Sequence, residues 1–108
     1  MATFMVEVAY TPEAWASLVK NPQNRLEAIR PAVERLGGKV ETGWFTFGDY
    51  DIVVITQMPD SASAAAFSIA VSAGGAVKAC KTTPLLTLEE GVEAIRKAAG
   101  AGYRPPCG

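Results

Sequence analysis

Apolar and polar positions change their period several times along the chain, and each change marks an element. From Thr3 to Tyr10 the period is two, with Phe4, Val6, Val8 and Tyr10 on one side and Thr3, Met5, Glu7 and Ala9 on the other. That is the pattern of a strand with one strongly apolar face. Thr11 then offers an N-cap, Pro12 suits the first helical position because its missing N–H costs nothing there, and Glu13 favours the positive end of the helix dipole. The helix starting at Pro12 presents Trp15, Leu18 and Val19 to the core. Asn21-Pro22 interrupts it, because a residue before proline is pushed out of the α region. Leu26, Ile29, Val33 and Leu36, at spacings of three and four, predict a second helical segment that stops at Gly37-Gly38. Pro31 lies inside that segment and removes the hydrogen bond to the Glu27 carbonyl, which predicts a kink.

Aromatic and β-branched residues then concentrate in two runs, Lys39 to Phe47 and Tyr50 to Met58. With only Gly48-Asp49 between them, the two strands are expected to form a tight antiparallel hairpin, with Gly48 at positive φ as in a type II′ turn. Pro59 ends the second run, and Asp60 or Ser61 caps an Ala-rich helix that carries Phe67 and Ile69 and stops at Gly74-Gly75. Ala76 to Thr83 reads as a further strand. After Pro84-Leu85-Leu86, Thr87 and Glu90 have the spacing of a capping box, and Leu88, Val92 and Ile95 fall on one side of the helix that follows. Pro105-Pro106 keeps the tail out of a helix.

Strand, helix, hairpin, helix, strand and helix is the split βαβ order. It predicts an α+β, ferredoxin-like βαββαβ fold with a C-terminal helix and a four-stranded antiparallel sheet carrying its main helices on one face. At 108 residues the chain has material for one core, so residues 1–99 are expected to form the domain and 100–108 a C-terminal tail. The other face of the sheet is assigned Met5, Ala9, Ile52 and Val54. A face so apolar needs a cover, and a second copy of the chain supplies it, giving a homodimer or a higher oligomer.

Composition narrows the function classes. Hydrophobic residues make up 49% and charged residues 19%, enough apolar material for a packed core and unlike a disordered chain. The net charge is −1 and the ten Lys and Arg form no run, which argues against nucleic acid as a partner. No apolar stretch reaches the roughly 20 residues of a membrane-spanning helix, and Met1-Ala2-Thr3-Phe4 lacks the features of a secretory signal. A cytoplasmic location away from membranes is therefore expected, with Cys80 and Cys107 reduced. Histidine is absent. This removes imidazole general bases, histidine-dependent nucleophile systems, and histidine-ligated zinc or haem; no cofactor and no metal are expected.

Several residues invite chemistry. Tyr50 and Asp51 flank the hairpin, as a phenol that donates to a ligand and a carboxylate that acts as base, or as a turn carboxylate accepting backbone N–H groups beside a packed ring. Glu7 stands among apolar neighbours in a strand expected to be central, either as a general base or as an interface carboxylate facing Lys78 or Lys81. Trp44, Phe47 and Tyr50 are candidate ligand contacts, with Phe45 and Trp15 nearby, or ordinary packing aromatics. Cys80 has Lys78 and Lys81 close in sequence, but Lys81 points away from it in a strand. Neither Gly-Gly pair matches a phosphate-binding loop.

The segment from Trp44 through Gly48, Tyr50 and Asp51 to Val54 resembles the GYD domain family. The resemblance extends to Arg25-Leu26-Glu27-Ala28, Leu36-Gly37-Gly38, Pro59-Asp60 and Thr83 through Leu88-Glu89-Glu90, which covers most of the chain up to about Ala99. It implies a ferredoxin-like subunit of the dimeric α/β-barrel type and selects no reaction, since fold does not fix function. Three readings follow. The first is a homodimeric small-molecule-binding or accessory protein. The second is a cofactor-independent oxygenase or isomerase acting on a small activated substrate through Glu7, Tyr50 or Asp51, and the third is a structural assembly module.

Overall fold

A computed structural model describes residues 1–106 of the chain; the expectation for Cys107 lies outside the described residues. The elements are β1 (Ala2–Tyr10), α1 (Pro12–Lys20), α2 (Arg25–Arg35), β2 (Lys39–Phe45), β3 (Ile52–Met58), α3 (Ser61–Ala73), β4 (Val77–Leu85) and α4 (Leu88–Ala99). The four strands form one sheet in the order β2-β3-β1-β4, antiparallel throughout. This is the α+β, ferredoxin-like arrangement, with β1 paired on both sides.

Helix boundaries follow the caps. The Thr11 side chain accepts from the Ala14 N–H at 3.1 Å and Pro12 opens α1. The Asn24 side chain accepts from Leu26 N–H at 3.0 Å to open α2, which runs on through Pro31. Asp60 is the N-cap of α3, accepting from Ser63 N–H at 2.7 Å. At α4 both halves of the capping box form: Glu90 N–H donates to the Thr87 hydroxyl and Thr87 N–H to the Glu90 carboxylate.

The core is a single apolar layer between one sheet face and the helices. Phe4, Val6, Val8 and Tyr10 of β1 join Val40, Ile52, Val54 and Met58 of the neighbouring strands, with Val33 of α2 and Ala64 and Phe67 of α3 above them. Trp15 of α1 stacks edge-on against Tyr10, ring centroids 5.4 Å apart, and leans on Phe45. Ile69 lies two residues from Phe67, on the other side of the α3 helix, and is exposed.

Three expectations need correction. Ile52 and Val54 do not belong to the second sheet face. Val54 pairs with Val6 and Ile52 with Val8, so both lie under the helices, 2% and 5% exposed. The second face instead carries Met5, Glu7, Val53 and Ile55, with Trp44 opposite Val53 and Lys81 opposite Glu7. The hairpin connection is also longer than Gly48-Asp49. β2 stops at Phe45 and the link spans residues 46–51, closed by Thr46 N–H donating to the Asp51 carbonyl (2.8 Å) and the Thr46 hydroxyl to the Tyr50 carbonyl (2.7 Å). Gly48 has the expected positive φ, 144°. Finally, β4 continues through Pro84 to Leu85. As an outer strand it has a free side on which a missing N–H breaks no ladder bond.

Helix α4 stands apart. It makes no substantial contact with any other helix or strand, and the radius of gyration is 17.1 Å, against about 13 Å for a compact chain of this length.

Two measurements probe this packing. At Gly38 a Cβ would press on the Met58 sulfur and come within 2.6 Å of the Gln57 carbonyl, so Gly38→Ala should lower the unfolding free energy by about 1–3 kcal/mol in urea. The cap bonds from Ser63 hold the Asp60 carboxyl below its ordinary value of 3.8. Its contribution is therefore complete above the unfolded value and fades as pH falls through the lower folded value. The urea midpoint of the natural chain should drop across that acid window, and that portion of the drop should be absent in Asp60→Asn, which keeps a neutral cap oxygen.

Candidate functional site

Above β1 and β3 the helices leave a narrow cleft in the layer that covers the sheet. Helix α2 packs mainly on β2 and α3 mainly on β4, so the middle of the sheet is roofed by the gap between them. Small residues on the α3 side, Ala70, Gly74 and Ala76, leave that gap unfilled. The result is an inner chamber of about 280 Å³ floored by Val6, Val8, Ile52 and Val54 and walled by Ile29 and Phe67. An outer chamber of about 330 Å³ adjoins it, bordered by Thr11, Glu13, Ser17 and Gln23. Tyr10, Arg25, Gly74 and Ala76 border both. The end of β4 nearest this mouth is tied down by Thr11 N–H, which donates to the Ala76 carbonyl at 3.0 Å.

Among the described residues, charge enters the cleft only at its mouth. Arg25, the first residue of α2, is half-buried and donates to the Gln23 side-chain carbonyl at 2.9 Å. Among the described residues its guanidinium has no carboxylate within ion-pair distance. The inner chamber is otherwise apolar, which suits a hydrocarbon group better than a charged one. No group of three or more His, Cys, Asp or Glu among the described residues is placed to hold a metal ion.

The residues singled out in the sequence occupy other places. Glu7 is half-buried on the sheet face turned away from the helices, between Val53 and Lys81. Trp44 shares that face and is 59% exposed. Glu7 and Trp44 therefore lie in one row across β1, β3 and β2, with Val53 between them. Phe47 sits in the 46–51 connection, 99% exposed. Tyr50 is half-buried in the same connection, and its carbonyl receives the Thr46 hydroxyl. Neither Tyr50 nor Asp51 borders the cleft.

Asp51 is committed to backbone. Its N–H donates to the Val8 carbonyl at 2.8 Å, the last rung between β3 and β1. One step further its carboxylate stands in for a strand carbonyl and accepts the Tyr10 N–H at 2.8 Å. A carboxylate used this way fixes the end of β1, and with it Tyr10 at the cleft mouth.

Arg25, Tyr10 and Glu13 border the cleft, although no sequence pattern marks them as a group. The available signal was indirect: Arg25 follows the Asn24 cap, and so must emerge where α2 begins beside the end of β1.

Comparison with known proteins gives a family and a fold. The GYD domain model matches residues 4–95. A Thermus thermophilus protein called glutamine synthetase and cystathionine beta-lyase binding protein is 32% identical over 79 residues, which is 72% of this chain and 82% of that protein. The crystal structure of MtbAldR superposes with a TM-score of 0.57 at 16% identity, over 80% of this chain and 53% of that one. This chain thus spans about half of MtbAldR, and the likeness establishes the shared fold.

Removing the Asp51 carboxylate leaves the Tyr10 N–H without its partner. Asp51→Ala should cost about 1–3 kcal/mol in urea unfolding, while Asp51→Asn, which keeps an acceptor oxygen, should recover most of that loss. Equal losses in the two variants would contradict the clamp.

Proposed function

Because the chain belongs to the GYD domain family, we propose that it is a non-catalytic accessory protein, a cytoplasmic homodimer that docks onto another protein. Helix α4 carries this reading. Leu88, Val92 and Ile95 repeat at helical spacing along it and are 87%, 46% and 72% exposed. At 12 residues the helix is near the length at which isolated helices are marginal in water, about 12–15 residues. Its capping box helps it form, but its apolar stripe is unpaid for until something covers it. Full burial of each such side chain contributes about 1.5–3 kcal/mol, and an apolar helix stripe seated in a groove is a common mode of protein recognition.

The second sheet face supports the homodimer. Met5, Val53 and Ile55 are half-buried with no helix above them, and a two-fold partner would cover each face with its equivalent. The name of the Thermus thermophilus relative supports the choice of partner class, since it describes a protein that binds two enzymes. Glutamine synthetase and cystathionine beta-lyase are therefore the first partners to test.

Sedimentation equilibrium should give a dimer at micromolar concentration, and Val53→Arg combined with Ile55→Glu should give a monomer. With either purified enzyme from the same organism, co-sedimentation should be strong for the natural chain. It should fall at least about tenfold in affinity in Leu88→Asp/Ile95→Asp, the floor set by losing the burial of even one of the two side chains, with the dimer intact. Binding unaffected by the α4 substitutions would sink the docking role of this helix.

A further inference from the structure

The cleft between α2 and α3 has features that docking through α4 does not use. Its inner chamber is apolar and of about 280 Å³, near the lower end of small-molecule sites at about 300 Å³. Its outer chamber is bordered by one cation, Arg25, and one anion, Glu13. These two make no ion pair with each other. Among the described residues Glu13 has no side-chain hydrogen-bond or ion-pair partner at all, and Arg25 has only the neutral Gln23 carbonyl. Opposite charges that border one small chamber without meeting leave room for a ligand between them.

A simple carboxylate at Arg25 would meet repulsion from Glu13, and a simple amine at Glu13 would meet repulsion from Arg25. A head group bearing both charges satisfies both residues. We propose that this cleft binds a small zwitterion with an apolar tail, of the chemical class of the apolar α-amino acids. Its carboxylate lies on the Arg25 guanidinium, its ammonium faces Glu13, and its tail enters the inner chamber over Val8, Ile52 and Phe67. Arg25 borders both chambers, so it stands where head and tail join. A guanidinium suits this position because its planar fork takes a carboxylate in two parallel hydrogen bonds. The site is complete within one copy of the chain and does not depend on the docking role of α4.

Isothermal titration of the full chain tests this with L-leucine, L-methionine and L-phenylalanine as probes. Three controls derive from leucine: 4-methylpentanoate lacks the ammonium, 3-methylbutylamine lacks the carboxylate, and glycine lacks the tail. At least one of the three amino acids should bind saturably, at least about tenfold tighter than each control, the equivalent of one charge-assisted hydrogen bond. Arg25→Gln should weaken that binding about tenfold or more, and Arg25→Lys should restore part of it. Glu13→Gln should erase the preference over 4-methylpentanoate. Unchanged urea midpoints would show that these exposed or half-buried substitutions leave the fold intact. Absence of saturable binding by all three amino acids at millimolar concentration would overturn the proposal. So would equal binding of the amino acid and its 4-methylpentanoate or 3-methylbutylamine control, or binding indifferent to Arg25→Gln.

Discussion

The register of β1 is the constraint on which the rest depends. This strand is paired on both sides, to β3 from Ala2 to Val8 and to β4 from Thr3 to Tyr10. Its side chains alternate between two environments, with Val6 and Val8 under the helices and Met5 and Glu7 on the other face. A slip of one residue would put Glu7 into the apolar layer beneath α2 and α3 and turn Val6 outward, exchanging the whole pattern at once. Asp51 guards against that slip at the far end. It donates to Val8 and accepts from Tyr10, and so fixes where the ladder stops.

Much of the fold was legible because local signals agreed with one another. Thr11-Pro12, Asp60 and the Thr87–Glu90 pair are caps whose chemistry acts within a single turn, and each sits where its helix begins. What escaped depends on partners distant in sequence. The phase of β3 is such a case: alternation in Ile52-Val53-Val54-Ile55 cannot be read when all four residues are apolar, and only pairing with β1 decides which are buried. The long 46–51 connection is another, since Asp51 is drawn to Val8 and Tyr10 rather than across to β2. Pro84 looked like a strand end because an outer strand cannot be distinguished from an inner one by composition.

The candidate site was less legible, for a different reason. A cleft is a property of spacing between helices, and here it arises because α2 sits over β2 and α3 over β4. Conspicuous residues such as Trp44, Phe47 and Tyr50 drew attention through their chemistry, whereas Arg25 and Tyr10 border the cleft by position. The signature residues of the hairpin and the cleft are nonetheless connected. Asp51 anchors Tyr10, which borders both chambers of the cleft and packs against Trp15 of α1, so one carboxylate links the segment that carries the family resemblance to the geometry of the cleft.

Pro84 has one more consequence, for polymerisation. The outer strands of an open sheet are templates onto which foreign strands add, the first step of runaway fibre growth. On the β4 side Pro84 deletes a donor from that template. On the β2 side a register irregularity between Val40 and Thr42, flanked by the Lys39–Glu41 charge pair, distorts it. With both rims blunted, strand addition has no flat track to follow. Growth of the sheet edge to edge is thereby disfavoured at both of its rims.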